Sequence, residues 1–76
     1  MTLEEIKKNF GKIVLFQLND SNQPTEYILT AYICRIDPNR KKKFIQQVEL
    51  QDKKAPQSVI IAAIESIKPK NKNGEN

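Results

Sequence analysis

The sequence predicts a mainly β protein, in which a short N-terminal α-helix precedes a small antiparallel barrel of four or five strands. Two observations lead to this fold class. The chain contains several apolar runs rich in β-branched and aromatic residues, which favour strands. Segments of turn-forming residues separate these runs at short intervals, as in meandering antiparallel sheets. With 76 residues, the chain is the size of one domain, which we expect to span residues 1–69.

A short helix is predicted over residues 3–9. Thr2 and Glu5 have the spacing of a capping box, in which each side chain accepts a hydrogen bond from the other residue's backbone N–H. Gly11 can adopt the left-handed conformation that often ends a helix. The stripe expected to cover one end of the sheet consists of Leu3, Ile6 and Phe10.

Two strands are predicted in the first half of the chain. Residues 12–18 form the first, with apolar side chains on both faces, and turn-forming residues follow at 19–25. Residues 26–36 form a long second strand, which we expect to bend across two sides of the barrel. Residues 37–40 then predict a tight turn. Regular alternation along the second strand places on one side Ile28, Thr30, Tyr32, Cys34 and Ile36.

The second half predicts a third strand at 43–50, a loop at 51–56 and an ambiguous segment at 57–68. A helical stripe in that segment competes with the β-branched run at 59–61. We favour a strand at 58–62, a tight turn, and a short final strand near 65–67. Pro69 is expected to end regular structure, and residues 70–76 to form a disordered polar tail.

The composition argues against an enzyme. The chain has no His and only two Gly, so it lacks the usual acid–base residue and a glycine-rich phosphate loop. Cys34 lies in an apolar strand and is expected to be a buried, inert thiol. We therefore expect no catalysis, cofactor or metal. A single cysteine and a charged N-terminus favour a cytoplasmic protein, and no apolar run is long enough to span a membrane.

The net charge of +4 is concentrated in the second half of the chain. A cluster of cations at one hairpin tip could contact several phosphates, and further lysines in the next loop and the tail could extend it. The alternative is that these lysines keep the domain soluble and protect its edges from aggregation. The candidate nucleic-acid-binding residues are Arg35, Arg40, Lys41, Lys42, Lys43, Lys53 and Lys54; the other lysines are Lys68, Lys70 and Lys72.

Three aromatic residues have two interpretations. Exposed rings could stack on unpaired bases, whereas buried rings would belong to the core. We favour the core for all three, which are Tyr27, Tyr32 and Phe44.

The predicted helix is followed by KIVLFQLNDSNQPTEYILTAYICRID and then by QSVIIAAIESIKP. This order resembles the layout of Sm-like and Hfq-like proteins, within the class of SH3-like small barrels. Those families end with a strand of the form I-x-x-I followed by Pro, here at 64–69. The ICRID–turn–strand arrangement is also similar to the YolD-like family of small bacterial domains. The resemblance covers residues 2–69 and concerns the pattern rather than a specific motif.

What the resemblance implies differs between the two families. Sm-like proteins usually form rings, so it implies a homo-oligomer. A YolD-like protein would act as a small partner in bacterial damage-response or mobile-element biology. The Tyr-Lys-His element of Hfq is replaced here by residues 60–63, and Thr30 and Ala31 stand where a Gly usually bends the second strand. No RNA contact is therefore transferred from the family.

Two functions remain open at this stage. The first is a nucleic-acid-binding module, with RNA or single-stranded DNA as partner and phosphate contacts from the basic hairpin tip. The second is a protein-interaction adaptor or self-assembling barrel of a bacterial, phage or mobile-element system, which would use exposed strand edges. The charge distribution favours the first.

Overall fold

The computed structural model describes residues 1–17, 23–40 and 43–70, and these residues form a short helix and five antiparallel strands in one sheet. The mainly β class is therefore confirmed. The order of strands across the sheet is β4-β3-β2-β1-β5. The elements are α1 (Leu3–Asn9), β1 (Ile13–Phe16), β2 (Thr25–Ile36), β3 (Phe44–Asp52), β4 (Val59–Ala63), a 3₁₀ turn (Ile64–Ser66) and β5 (Ile67–Pro69).

Helix α1 has the predicted bounds and both predicted ends. Thr2 Oγ1 accepts a hydrogen bond from the Glu5 backbone N–H at 3.2 Å, and Glu5 Oε1 accepts one from the Thr2 N–H at 2.9 Å. Gly11 follows the helix with φ of +80°. The predicted stripe is only partly correct, because Ile6 is buried while Leu3 and Phe10 are exposed. Leu3 is the first residue of the helix and Phe10 follows its last residue, so both lie at the ends of α1, away from the buried Ile6.

Strand β2 contains an irregularity at Thr30. Leu29 is opposite Leu50 and Ala31 is opposite Glu49, so Thr30 is an extra residue in the ladder with β3. A bulge of this kind moves the following side chains to the other face. The core side of the sheet therefore includes Leu29 and also Tyr32, which pairs with the buried Val48. The regular alternation expected along the whole strand is wrong for this reason.

The core lies between one face of the sheet and α1. Every strand and the helix contribute to it, and half-buried aromatic residues and Met1 pack around it. Removing this apolar surface from water is the main stabilising contribution to the fold. The buried residues are Ile6, Val14, Leu29, Val48, Leu50, Ala62 and Ile67.

Several strand ends differ from the sequence prediction. Strand β3 continues to Asp52, because Gln51 and Asp52 pair with the first part of β2. Leu18, predicted to end the first strand, lies outside the described residues. Pro69 belongs to β5 and is opposite Val14. This position suits a residue without an N–H, because among the described strands β5 lies at the edge of the sheet and pairs with β1 alone.

The ambiguous segment at 57–68 is mostly extended, as favoured. Strand β4 and strand β5 are separated by the 3₁₀ turn, which occupies most of the predicted final strand and shifts that strand to Ile67–Pro69. The turn carries the chain away from β4 to the far side of β1. Within the described residues no ladder joins β4 to β5, so the sheet is open and the predicted closed barrel is not confirmed.

Candidate nucleic-acid interface

The hairpin between β2 and β3 projects beyond the rest of the sheet. Strand β4 pairs with β3 only from Gln47 onward, and β1 pairs with β2 only as far as Ile28. Residues 34–36 and 44–46 therefore pair only with each other among the described strands. We call residues 34–40 and 43–46 the distal hairpin.

Hydrogen bonds between residues near the turn close the tip of the distal hairpin. The Asp37 N–H donates to the Lys43 carbonyl at 3.0 Å, and the Arg40 N–H donates to the Asp37 carbonyl at 3.2 Å. The Asp37 carboxylate accepts a bond from the Asn39 N–H at 2.9 Å, which is the usual turn-forming role of Asp. These contacts hold the backbone on both sides of the cationic loop.

The distal hairpin brings three of the predicted cations together. Arg35, Arg40 and Lys43 are exposed. Arg40 Nε lies 3.3 Å from Asp37 Oδ2, and the arginine side chain is 70% exposed. Arg35 Nε donates to Gln47 Oε1 at 3.1 Å, which directs that side chain along the sheet surface. The predicted site residues Lys41 and Lys42 lie outside the described residues.

The lysines of the next loop lie at the other end of β3. A nine-residue strand spans about 30 Å. That distance is several times the Debye length of about 10 Å at 0.1 M salt, so Lys53 and Lys54 do not share the electrostatic field of the distal hairpin. The structure therefore does not join the predicted set into one patch.

At that far end, Glu26 pairs with two lysines. Lys53 Nζ lies 2.5 Å from Glu26 Oε1, and Lys70 binds the other carboxylate oxygen. The hydrogen bond from Lys53, followed by that from Lys70, lowers the pKa of Glu26 from 4.5 to about 2. These two lysines stabilise the start of β2 against the loop and β5. Lys72 lies outside the described residues, as do residues 71–76 of the predicted tail.

The distal hairpin also exposes apolar side chains. Ile36 and Phe44 are opposite each other in the β2–β3 ladder and are 58% and 63% exposed. Alternation places them on the core side of the sheet, but beyond the buried core, whereas Arg35 lies on the opposite face. The prediction that Phe44 belongs to the core is wrong.

The other two aromatic predictions are confirmed. Tyr27 and Tyr32 are half-buried and pack against the core, and Tyr27 meets Phe16 edge to face with ring centroids 6.0 Å apart. Tyr32 Oη donates to Gln46 Oε1 at 3.1 Å. Burial raises the pKa of Tyr32, with a further contribution from Cys34.

Cys34 is exposed rather than buried. The physical reason is the same as for Phe44, because both residues lie where β2 and β3 have no further neighbour strand. Ile36 was not among the candidate residues. Its position directly before the turn was the only available signal, since a strand end at a hairpin tip is far from the core.

The described residues contain no group of three or more His, Cys, Asp or Glu side chains arranged to hold a metal ion. Among the helices in the described part of the chain, none has the length and hydrophobicity required to cross a bilayer. The chain matches no protein-family model, and no significant match is found among the curated proteins or the solved structures.

Proposed function

We propose that the protein is a non-enzymatic module that binds nucleic acid, RNA or single-stranded DNA, through the cations of the distal hairpin. The observation that carries this proposal is the charge of the tip. Between residues 35 and 43 the chain has five cations and one acid. Three of the cations, Arg35, Arg40 and Lys43, belong to the described part of the hairpin, which projects beyond the neighbouring strands.

A projecting cationic loop suits a polyanion for two reasons. Each phosphate that a cation neutralises releases a condensed counterion, which favours binding and makes it dependent on salt. A loop away from the body of the protein can also approach the backbone of a nucleic acid without steric conflict. The contact from Asp37 to Arg40 Nε orients the guanidinium while its side chain stays largely in solvent.

The test is a salt titration with a fluorescently labelled 16-nucleotide oligo(dU) or oligo(dT). Contacts to roughly four phosphates predict that log K falls with log salt with a slope of about −3 for a single strand. A variant with Arg40, Lys41, Lys42 and Lys43 all changed to Gln is expected to lose most of the binding and to flatten the slope.

A matched control removes the same charge at the far end of the sheet. In this variant Lys53, Lys54, Lys68 and Lys70 are changed to Gln, and circular dichroism checks its fold. The proposal predicts that the control retains most of the affinity. Equal losses in both variants would show a response to net charge alone, and no binding by the wild type at 50 mM salt would exclude the proposal.

A second candidate function is protein interaction through a strand edge. Strand β4 has no partner on its outer side within the described sheet, and its five residues include no charged residue and no proline. Val59 and Ile61 are about half exposed. The opposite edge, β5, carries Lys68 and Pro69, which discourage pairing. An unguarded edge can accept an extended strand from a partner or from a second copy.

Light scattering over a range of protein concentrations tests self-association through this edge. The alternative predicts oligomers in the wild type and monomers in Ile61→Lys, because a lysine on an edge strand opposes pairing with a further strand. Equal masses for the two proteins at all concentrations would exclude self-assembly through β4.

A further inference from the structure

The exposed pair Ile36 and Phe44 lies beside the cationic tip. Single exposed apolar residues are common at protein surfaces. Here, however, an aromatic ring and a branched aliphatic side chain are direct cross-strand neighbours and leave more than half of their surface in solvent. Lys43 directly precedes Phe44 in the chain, and Arg40 lies in the turn between the two residues. Apolar surface rimmed by charge marks a binding site more often than isolated exposure does.

We propose that Phe44, supported by Ile36, is the surface on which an unpaired base stacks when the tip cations hold the adjacent phosphates. The consequence is that the distal hairpin binds single strands in preference to duplex, whose bases are already stacked on each other. This inference rests on the proposed nucleic-acid-binding function and assigns the part of the site that distinguishes the two forms.

The chemistry of the pair favours this ligand. A nucleobase has a flat π-face, and stacking on an aromatic side chain contributes whatever the base, so sequence is not required. Cations at the same tip complement the phosphates that accompany each base. Arg35 belongs to the opposite face, so phosphates next to the stacked base would meet Arg40 and Lys43.

Hydrogen bonds fix the backbone that carries the ring. The bond from the Asp37 N–H to the Lys43 carbonyl closes the ladder directly beside Ile36 and Phe44. Gln46 lies on the same face, one cross-strand pair closer to the core than Phe44. It accepts a hydrogen bond from Tyr32 Oη, and Tyr32 packs against the core. Because this backbone is already ordered, binding at the site costs little backbone entropy.

Substitutions at Phe44 test the inference through affinity. Phe44→Leu keeps an apolar side chain and removes the π-face, and the position is exposed, so the fold is retained. Stacking of one base predicts that Phe44→Leu weakens binding to oligo(dT) about 5- to 150-fold, with an unchanged salt slope. Binding to a 16-base-pair duplex is expected to stay the same. Phe44→Tyr, which keeps the ring, is expected to bind like the wild type.

A second measurement reports the stacking directly. The chain contains no Trp, so Phe44→Trp introduces a single tryptophan at the site, which can be excited selectively over the two tyrosines. Oligo(dT) is expected to quench its fluorescence, whereas an abasic oligonucleotide of equal length, which has the same phosphates without bases, is expected to leave it unchanged. Equal quenching by both would overturn the inference.

The outcomes separate this inference from the proposed function. If the tip variant loses binding while the wild type and Phe44→Leu bind oligo(dT) with equal affinity, the stacking role is overturned and the proposed function is retained. Absence of binding to any nucleic acid would remove both. The tryptophan emission of the Phe44→Trp variant could instead shift to the blue with anionic phospholipid vesicles and not respond to oligo(dT). That result would assign the apolar pair to a lipid surface and overturn the inference.

Discussion

The Thr30 hydroxyl lies 3.1 Å from the Glu49 carbonyl oxygen and 2.8 Å from Glu49 Oε1, at the point where β2 gains an extra residue. This contact joins the two strands where the regular ladder between them is interrupted. Because of the bulge, Leu29 and Tyr32 both face the core. In a regular strand, two residues three positions apart would lie on opposite faces. The orientation of the whole distal hairpin depends on this irregularity.

We predict that Thr30→Val destabilises the protein. The substitution keeps the shape of the side chain and removes its hydroxyl, so the expected loss is about 0.5–1.5 kcal/mol in the free energy of unfolding. Urea denaturation measures it. Thr25→Val, at the exposed start of β2, is the matched control and is expected to change stability by less than about 0.5 kcal/mol. Equal effects of the two substitutions would contradict a structural role for the Thr30 hydroxyl.

A second prediction compares two apolar residues on adjacent strands. Leu50 is fully buried, whereas Ile61 is 50% exposed. Leu50→Ala is expected to cost about 2–5 kcal/mol, since it leaves a cavity in the core. This is a large fraction of the total stability of a small domain. Ile61→Ala is expected to cost much less. A larger loss for Ile61→Ala, measured by the same denaturation, would indicate that its face is covered in solution.

A third prediction concerns the pH dependence of stability. The folded-state pKa of Glu26 is about 2, below its ordinary value of 4.5. The contribution of its ion pairs is therefore fully present above pH 4.5 and is lost as the pH falls towards 2. In Glu26→Gln this part of the pH dependence is expected to disappear.

Thermal unfolding at a series of pH values between 2 and 6 measures the Glu26 effect. Glu65→Gln serves as the control, because Glu65 forms no salt bridge within the described part of the chain. It is expected to keep the acid-dependent loss of the wild type. An unchanged pH profile in Glu26→Gln would show that its pairs with Lys53 and Lys70 do not stabilise the folded state.

A fourth prediction separates backbone strain from steric conflict at Gly11. A Cβ added at this position would meet no atom within 4 Å, but the residue has φ of +80°. Gly11→Ala is therefore expected to destabilise the protein by about 1–2 kcal/mol through the backbone alone. Gly11→Asn is expected to cost less, since Asn tolerates the left-handed region. Equal losses in thermal unfolding would contradict this explanation.

Much of the fold could be predicted because it depends on neighbours in the chain. The capping box of Thr2 and Glu5 and the left-handed Gly11 define α1 by contacts within a few residues. Apolar β-branched runs and intervening turn residues predicted the strands to within about three residues. The tip of the distal hairpin was predictable in the same way, since Asp37 and Pro38 favour a turn and the cations follow them directly.

The tertiary structure alone decided which of these residues lie together. The pairing of Lys53 and Lys70 with Glu26, the exposure of Cys34 and Phe44, and the open sheet of the described residues all depend on contacts between distant segments. One extra residue at Thr30 changes the face of every later position in β2, and no local preference shows where that residue lies. Local hydrogen bonding and side-chain shape therefore determined the elements, whereas strand register and the lengths of neighbouring strands determined the site.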